Sequence, residues 1–200
     1  MIEEVLFSYY FVNIIQRVIK IVCEFVSGGI LMKIHALINS FFVVFLLMGC
    51  SMSIEELSKT TVKEAEQAFK EEPIDPNEET ELFSFYLPNK FQIEESHDSN
   101  LILEKNNQSY ILFVNQNEMS DSKVSFEALS AQYNEPFILE SFEQDNKFGY
   151  LFVDELNDKE YEVTVGIGGT KLSTTAKPNN ISDDVKEMMN IVSSVEPKDS

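Results

Sequence analysis

The chain has 200 residues, of which 34 are acidic and 15 basic, giving a formal net charge of −19. A surface that acidic repels phosphate backbones and argues against nucleic acid as a partner. Two cysteines and two histidines leave too few soft donors for a transition-metal centre, and with no tryptophan there is no obvious sugar platform.

The first segment, residues 1–31, does not fit a signal peptide starting at Met1. Leu6 to Val22 is apolar but is interrupted by Gln16, Arg17 and Lys20. It reads as a mistranslated leader, with Met32 as the true start, or as an extra N-terminal segment forming an amphipathic or membrane helix. Ser27-Gly28-Gly29 favours the leader: Gly-Gly codons can reproduce a purine-rich ribosome-binding site upstream of Met32, and Leu31 could itself be a TTG start. Met32-Lys33 then opens an apolar run from Ile34 to Met48, too short to span a bilayer comfortably, that ends Leu46-Leu47-Met48-Gly49-Cys50. A basic start, a short apolar stretch and a small residue before a cleavage point make a secretory signal over residues 32–49. The alternative is a transmembrane helix ending in an ordinary cysteine.

Leu47-Met48-Gly49-Cys50 resembles the lipobox of bacterial lipoproteins, departing from it at Met48, where that family more often carries a small residue. The resemblance implies that Cys50 receives a diacylglyceryl thioether, that signal peptidase II cuts before it, and that Cys50 becomes the mature N-terminus. It also implies residence on the extracytoplasmic face of the cell membrane, with membrane lipid held through Cys50. Two or three acyl chains, palmitate among them, make such attachment durable. Composition rich in Asn, Lys, Ile and Glu points to a low-GC Gram-positive cell envelope.

From Cys50 onward the net charge stays at −19, because Arg17, Lys20 and Lys33 balance Glu3, Glu4 and Glu24 before it. Such a domain is pushed off anionic headgroups despite its anchor. Cys23 is removed with the leader and Cys50 is acylated, so no disulfide or thiol chemistry remains. Residues 50–81 read as the lipidated cysteine followed by a helical and acidic tether. Ser53-Ile54-Glu55-Glu56 is a capping box, and Ile54, Leu57, Thr61, Val62, Ala65, Ala68 and Phe69 share one helical face. Glu71 to Glu79, broken by Pro73 and Pro76, reads as linker.

Residues 82–196 read as one domain. Phe83, Phe85 and Leu87 alternate as a strand. Further strands start at Phe91 and run over Leu101 to Glu104, Ser109 to Val114, Phe137 to Glu143, Lys147 to Leu156, Glu160 to Ile167 and Thr170 to Thr175. Turns fall at His97-Asp98-Ser99-Asn100, Asn106-Asn107, Asp145-Asn146, Asn157-Asp158 and Gly168-Gly169. Phe126, Leu129 and Tyr133 space a short helix from about Lys123 to Gln132. A last helix, Ile181 to Val195, has Asn180 as cap, Asp183 and Asp184 in its first turn, and a buried stripe of Ile181, Val185, Met188, Met189, Val192 and Val195. Residues 197–200 read as a tail. Tight turns require antiparallel pairing. The expected class is α+β: an antiparallel β-meander covered by the C-terminal helix and the short mid-chain helix. Phe83 to Pro88, Tyr161 to Val165 and Met188 to Val195, in that order, resemble PsbP/DcrB-like domains. That resemblance implies a PsbP-like sandwich, an accessory module that docks on larger complexes, and no catalytic residues.

Motifs for chemistry are weak. His97 lies between Ser96 and Asp98, but neighbours in one turn cannot form a nucleophile relay. Gly166-Ile167-Gly168-Gly169-Thr170-Lys171 lacks the phosphate-loop order and leads to a strand, so it reads as a hairpin turn. Asp75 to Glu79 and Asp154 to Glu160 are dense in carboxylates without calcium-loop spacing. The expectation is a non-enzymatic accessory or binding lipoprotein for an envelope protein complex, with no cofactor, no metal site and Cys50 as its one assigned site. The alternative is a lipoprotein that binds a small ligand or a divalent cation.

Overall fold

The computed structural model describes residues 14–20, 53–97, 99–157 and 160–198. The chain divides into two units, Met1–Ser51 and Met52–Ser200. In the first, residues 14–20 are helical and exposed. The expected signal sequence, the lipobox-like stretch Leu47-Met48-Gly49 and Cys50 lie outside the described residues. No helix among the described residues is long and apolar enough to cross a membrane.

The second unit opens with helix α1 (Ile54–Lys70), where the Glu56 N–H donates to Ser53 Oγ at 3.1 Å, the expected N-cap. Strands follow as β1 (Glu78–Glu79), β2 (Phe83–Phe85), β3 (Gln92–His97), β4 (Asn100–Lys105) and β5 (Gln108–Val114). After helix α2 (Val124–Gln132) come β6 (Ile138–Gln144), β7 (Lys147–Asn157), β8 (Glu160–Ile167) and β9 (Thr170–Ala176). A 3₁₀ turn (Pro178–Asn180), helix α3 (Ile181–Ser193) and β10 (Glu196–Pro197) complete the unit.

The fold is α+β with two antiparallel sheets: a seven-stranded sheet ordered β3-β4-β5-β9-β8-β7-β6 and a small one ordered β1-β2-β10. The large sheet is not one meander. β3-β4-β5 and β6-β7-β8-β9 are separate meanders that meet where β5 pairs with β9, and the chain crosses between them through α2. Turn chemistry sets each hairpin. Asn106 and Asn107 (φ 54° and 63°) and Asp145 and Asn146 (φ 52° and 58°) both take positive φ at the two central positions, the requirement of a type I′ turn.

Period-two alternation fixes the faces. Tyr161, Val163, Val165 and Ile167 point into the core together with Leu101, Leu103, Tyr110, Leu112, Leu151 and Val153. This face is covered by α1 and α3, through Ala65, Ala68 and Phe69 on one helix and Val185, Met188, Met189 and Val192 on the other. Burying each large side chain contributes about 1.5–3 kcal/mol. The alternate residues of β7, Phe148, Tyr150 and Phe152, face the other way, beneath α2. There Phe126 meets Phe148 and Tyr150 at ring distances of 5.3 and 6.0 Å, and Tyr133 meets Phe152 at 4.5 Å.

Three further expectations need correction. The tether expected over residues 50–81 is largely part of the domain. α1 buries Leu57, Thr61, Ala65, Ala68 and Phe69, because its apolar stripe finds α3 and the sheet as partners. Asn77 then pins the following segment, donating to the Leu87 carbonyl and accepting from its N–H. The expected tail at 197–200 is also part of the fold: β10 pairs with β2, and Lys198 N–H donates to the Leu82 carbonyl. Finally, Asn180 makes no side-chain cap bond, because it closes the 3₁₀ turn.

Candidate functional site

Alternation along β4 directs Leu101, Leu103 and then Lys105 inward. A lysine at the third inward position must bring partners with it, since an unpaired buried charge is costly. Its side chain is 10% exposed. The ammonium donates to Asp184 Oδ1 at 2.6 Å and to Glu187 Oε2 at 2.8 Å. Asp184 also accepts from the Tyr110 hydroxyl at 3.0 Å and from Gln108 Nε2 at 3.1 Å. Gln108 donates to Thr174 Oγ1 as well, and that hydroxyl donates to the Ser109 carbonyl at 2.7 Å. The Phe91 and Tyr110 rings lie 5.1 and 5.5 Å from the ammonium, within cation–π range.

Burial alone would push the Lys105 pKa down. The hydrogen bonds to Asp184 and Glu187 outweigh it and hold the ammonium well above its ordinary value. Burial, reinforced by the Asp184 charge, also pushes the Tyr110 hydroxyl up. The pair is therefore a fixed cation and a fixed neutral phenol at neutral pH, which suits structure and recognition and not proton transfer.

Above this network lies an open polar cleft of about 640 Å³ at the start of α3, whose rim includes Lys90, Asn107, Glu160, Lys177, Asn180 and Asp183. Lys90 reaches Glu187 at 3.5 Å on this rim. The sequence held a signal for this network. Lys105 shares the inward parity of Leu101 and Leu103, and Asp184 falls on the apolar stripe between Ile181 and Met188. Reading Asp184 only as a helix-dipole charge missed it.

The other sequence candidates do not converge on this cleft. His97 is exposed at the end of β3 and lies 3.3 Å from Glu95, while Asp98 lies outside the described residues. Gly168-Gly169 is the β8–β9 turn: Gly168 has φ +54°, and a Cβ there would lie 2.2 Å from the Met119 carbonyl oxygen. Of the carboxylate-dense stretches, Asp154 to Asn157 runs along the end of β7, with Asp158 and Lys159 outside the described residues, and Glu78-Glu79 forms β1. Among the described residues no three His, Cys, Asp or Glu side chains are placed to hold a metal ion.

A second polar group is buried under α2. The Tyr150 hydroxyl is fully buried without a hydrogen-bond partner among the described residues. Burial pushes its pKa up to about 12; the nearby Ser125 hydroxyl opposes the shift but does not reach hydrogen-bond geometry with it. Tyr150 itself fills the space over Gly166, where a Cβ would lie 2.3 Å from the ring. Compared with known proteins, no family model matches the chain and no curated protein matches it.

Proposed function

We propose that this chain is a lipid-anchored extracytoplasmic lipoprotein whose domain serves as a non-enzymatic accessory or binding module for an envelope protein complex. The observation that carries the reading is the stretch Leu47-Met48-Gly49-Cys50 at the end of a signal-like run, with a self-contained acidic domain starting at Ser53. The Lys105 network supports a binding role, since its ammonium and the Tyr110 phenol are held by hydrogen bonds to Asp184 and Glu187 and not poised for proton transfer. A PsbP-like assignment within the α+β class belongs to the same proposal. It rests on the order of elements and on the terminal helix against the antiparallel sheet.

The 640 Å³ polar cleft favours a second reading, a small polar ligand held near Lys90, Asn107 and Lys177. One experiment separates the two. The native chain is purified from membranes in mild detergent and analysed for bound protein and for retained small molecules. A membrane protein present in fixed stoichiometry, and lost when the domain is unfolded, supports the accessory role. A retained small molecule that Lys177→Glu releases supports the second reading. Recovery of the chain alone, without acyl mass on Cys50, refutes the proposal.

A further inference from the structure

Contacts along the helices show which end of the domain the chain enters. Thr61 of α1 and Ser182 of α3 share a hydrogen bond of 2.9 Å, and Lys186 donates to Glu64 at 3.2 Å, so the two helices run in the same direction. α3 starts at the β4–β5 hairpin, where Asp184 meets Lys105 and Gln108. It ends near the β8–β9 turn, where Val192 and Val195 line a small cleft with Gly169 and Thr170. α1 ends at the same place: Phe69 lies against Gly149, and Gly149 pairs with Ile167 beside that turn. The start of α1 is therefore at the opposite end, with the Asn106-Asn107 turn, the 3₁₀ turn Pro178–Asn180 and the Lys105 cleft. Ser53 precedes Thr61 by eight residues, about 12 Å along a helix axis.

Cys50 is three residues before Ser53. Three trans peptide links span at most about 11 Å. From Ser53 onward there is no spacer, because α1 is packed into the core through Leu57, Thr61 and Ala65. Ile54, on the first turn of this helix, is 68% exposed and offers an apolar contact next to the anchor.

We propose that the domain docks end-on against the bilayer that holds its anchor. The α1 start, the Asn106-Asn107 turn and the Lys105 cleft then lie at headgroup level, and the β8–β9 turn points away. This inference rests on the reading of Cys50 as lipidated. The occupant of this end is the lipid surface itself. The acidic surface expected to hold the domain off the membrane can do so only within the reach of three residues, close to one Debye length of about 8–10 Å. The contact is therefore favoured on zwitterionic headgroups and weakened on anionic ones.

The test uses the acylated mature product, confirmed by mass to begin at Cys50, in phosphatidylcholine vesicles carrying a headgroup quencher. The processed lipoprotein has no free thiol, so single cysteines can be placed and labelled with a fluorophore. Asn107→Cys and Lys177→Cys report the near end. Met119→Cys, 76% exposed beside the β8–β9 turn, reports the far end. Quenching several-fold stronger at 107 and 177 than at 119 is expected. Equal quenching at all three sites, or the reverse order, on a chain shown to be acylated overturns the docking geometry alone. Absence of the acyl mass overturns the anchoring reading beneath it.

Discussion

Asp184 offers the sharpest test of how the domain is held together. Replacing it with leucine leaves the Lys105 ammonium, 10% exposed, with Glu187 as its one remaining carboxylate. The Tyr110 hydroxyl also loses its acceptor, whereas Gln108 keeps Thr174. Removing one partner of a buried ion pair costs about 3–5 kcal/mol. The surviving Glu187 contact places Asp184→Leu near the lower end, about 3 kcal/mol. Lys105→Met alone should cost about 2–3 kcal/mol, since Asp184 then stays buried with only neutral donors. The double variant removes both charges and fills the site with apolar volume, so it should cost less than either single change predicts, with a coupling of about 2 kcal/mol or more. Equilibrium urea unfolding of the four proteins completes the cycle. Additivity within about 0.5 kcal/mol would show that Lys105 and Asp184 do not depend on each other and would refute the network.

Val192 is 3% exposed against the sheet, so Val192→Asp should leave the domain unfolded or molten, read by loss of a cooperative thermal transition. Lys186→Asp, on the outer face, should keep that transition but lower stability by up to about 1 kcal/mol, because it turns the contact with Glu64 into a repulsion. Gly168→Val combines positive φ with a Cβ placed against the Met119 carbonyl, so it should cost about 3 kcal/mol, the upper part of the range for strained backbone. An unchanged melting temperature would mean the turn is built differently. The Tyr150 hydroxyl titrates at about 12 when folded, against about 10 when unfolded. Its raised folded pKa contributes stability that is whole below pH of about 10 and is lost as pH rises toward 12, by up to about 1.4 kcal/mol per unit. Tyr150→Phe should therefore flatten the alkaline loss of stability relative to the parent while costing little at pH 7, where the hydroxyl has no bond to lose; an equal slope in the two proteins would refute the burial.

Much of the domain was legible because its elements follow simple periods. The Tyr161-to-Ile167 alternation, the Asn-Asn, Asp-Asn and Gly-Gly turns and the Ser53 cap are local signals, and each specifies its element without help from the rest of the chain. The pairing of β5 with β9 has no local signal. It brings together residues more than fifty positions apart, and the crossing helix α2, which buries none of its own residues, gives no strong stripe to announce it. The place of α1 was hidden for a similar reason. A strong apolar stripe shows that a helix will pack but not against what, and the acidic, proline-broken segment after it resembled a spacer. Of the site, the polar rim was unreadable, and Lys105 was missed because the expected strand stopped at Glu104; one residue further, its inward parity implies a buried carboxylate elsewhere, and Asp184 on the apolar stripe of α3 supplies it.

The proposed membrane attachment depends on a single thiol, that of Cys50. The most direct measurement is labelled-palmitate incorporation and intact mass of the native chain beside its Cys50→Ser variant, since serine lacks the thiol that accepts the lipid. The expected result is a mature protein that begins at an acylated Cys50, and an unlabelled, uncleaved precursor for the variant. Equal label in both proteins, or a native chain with no acyl mass, would contradict it.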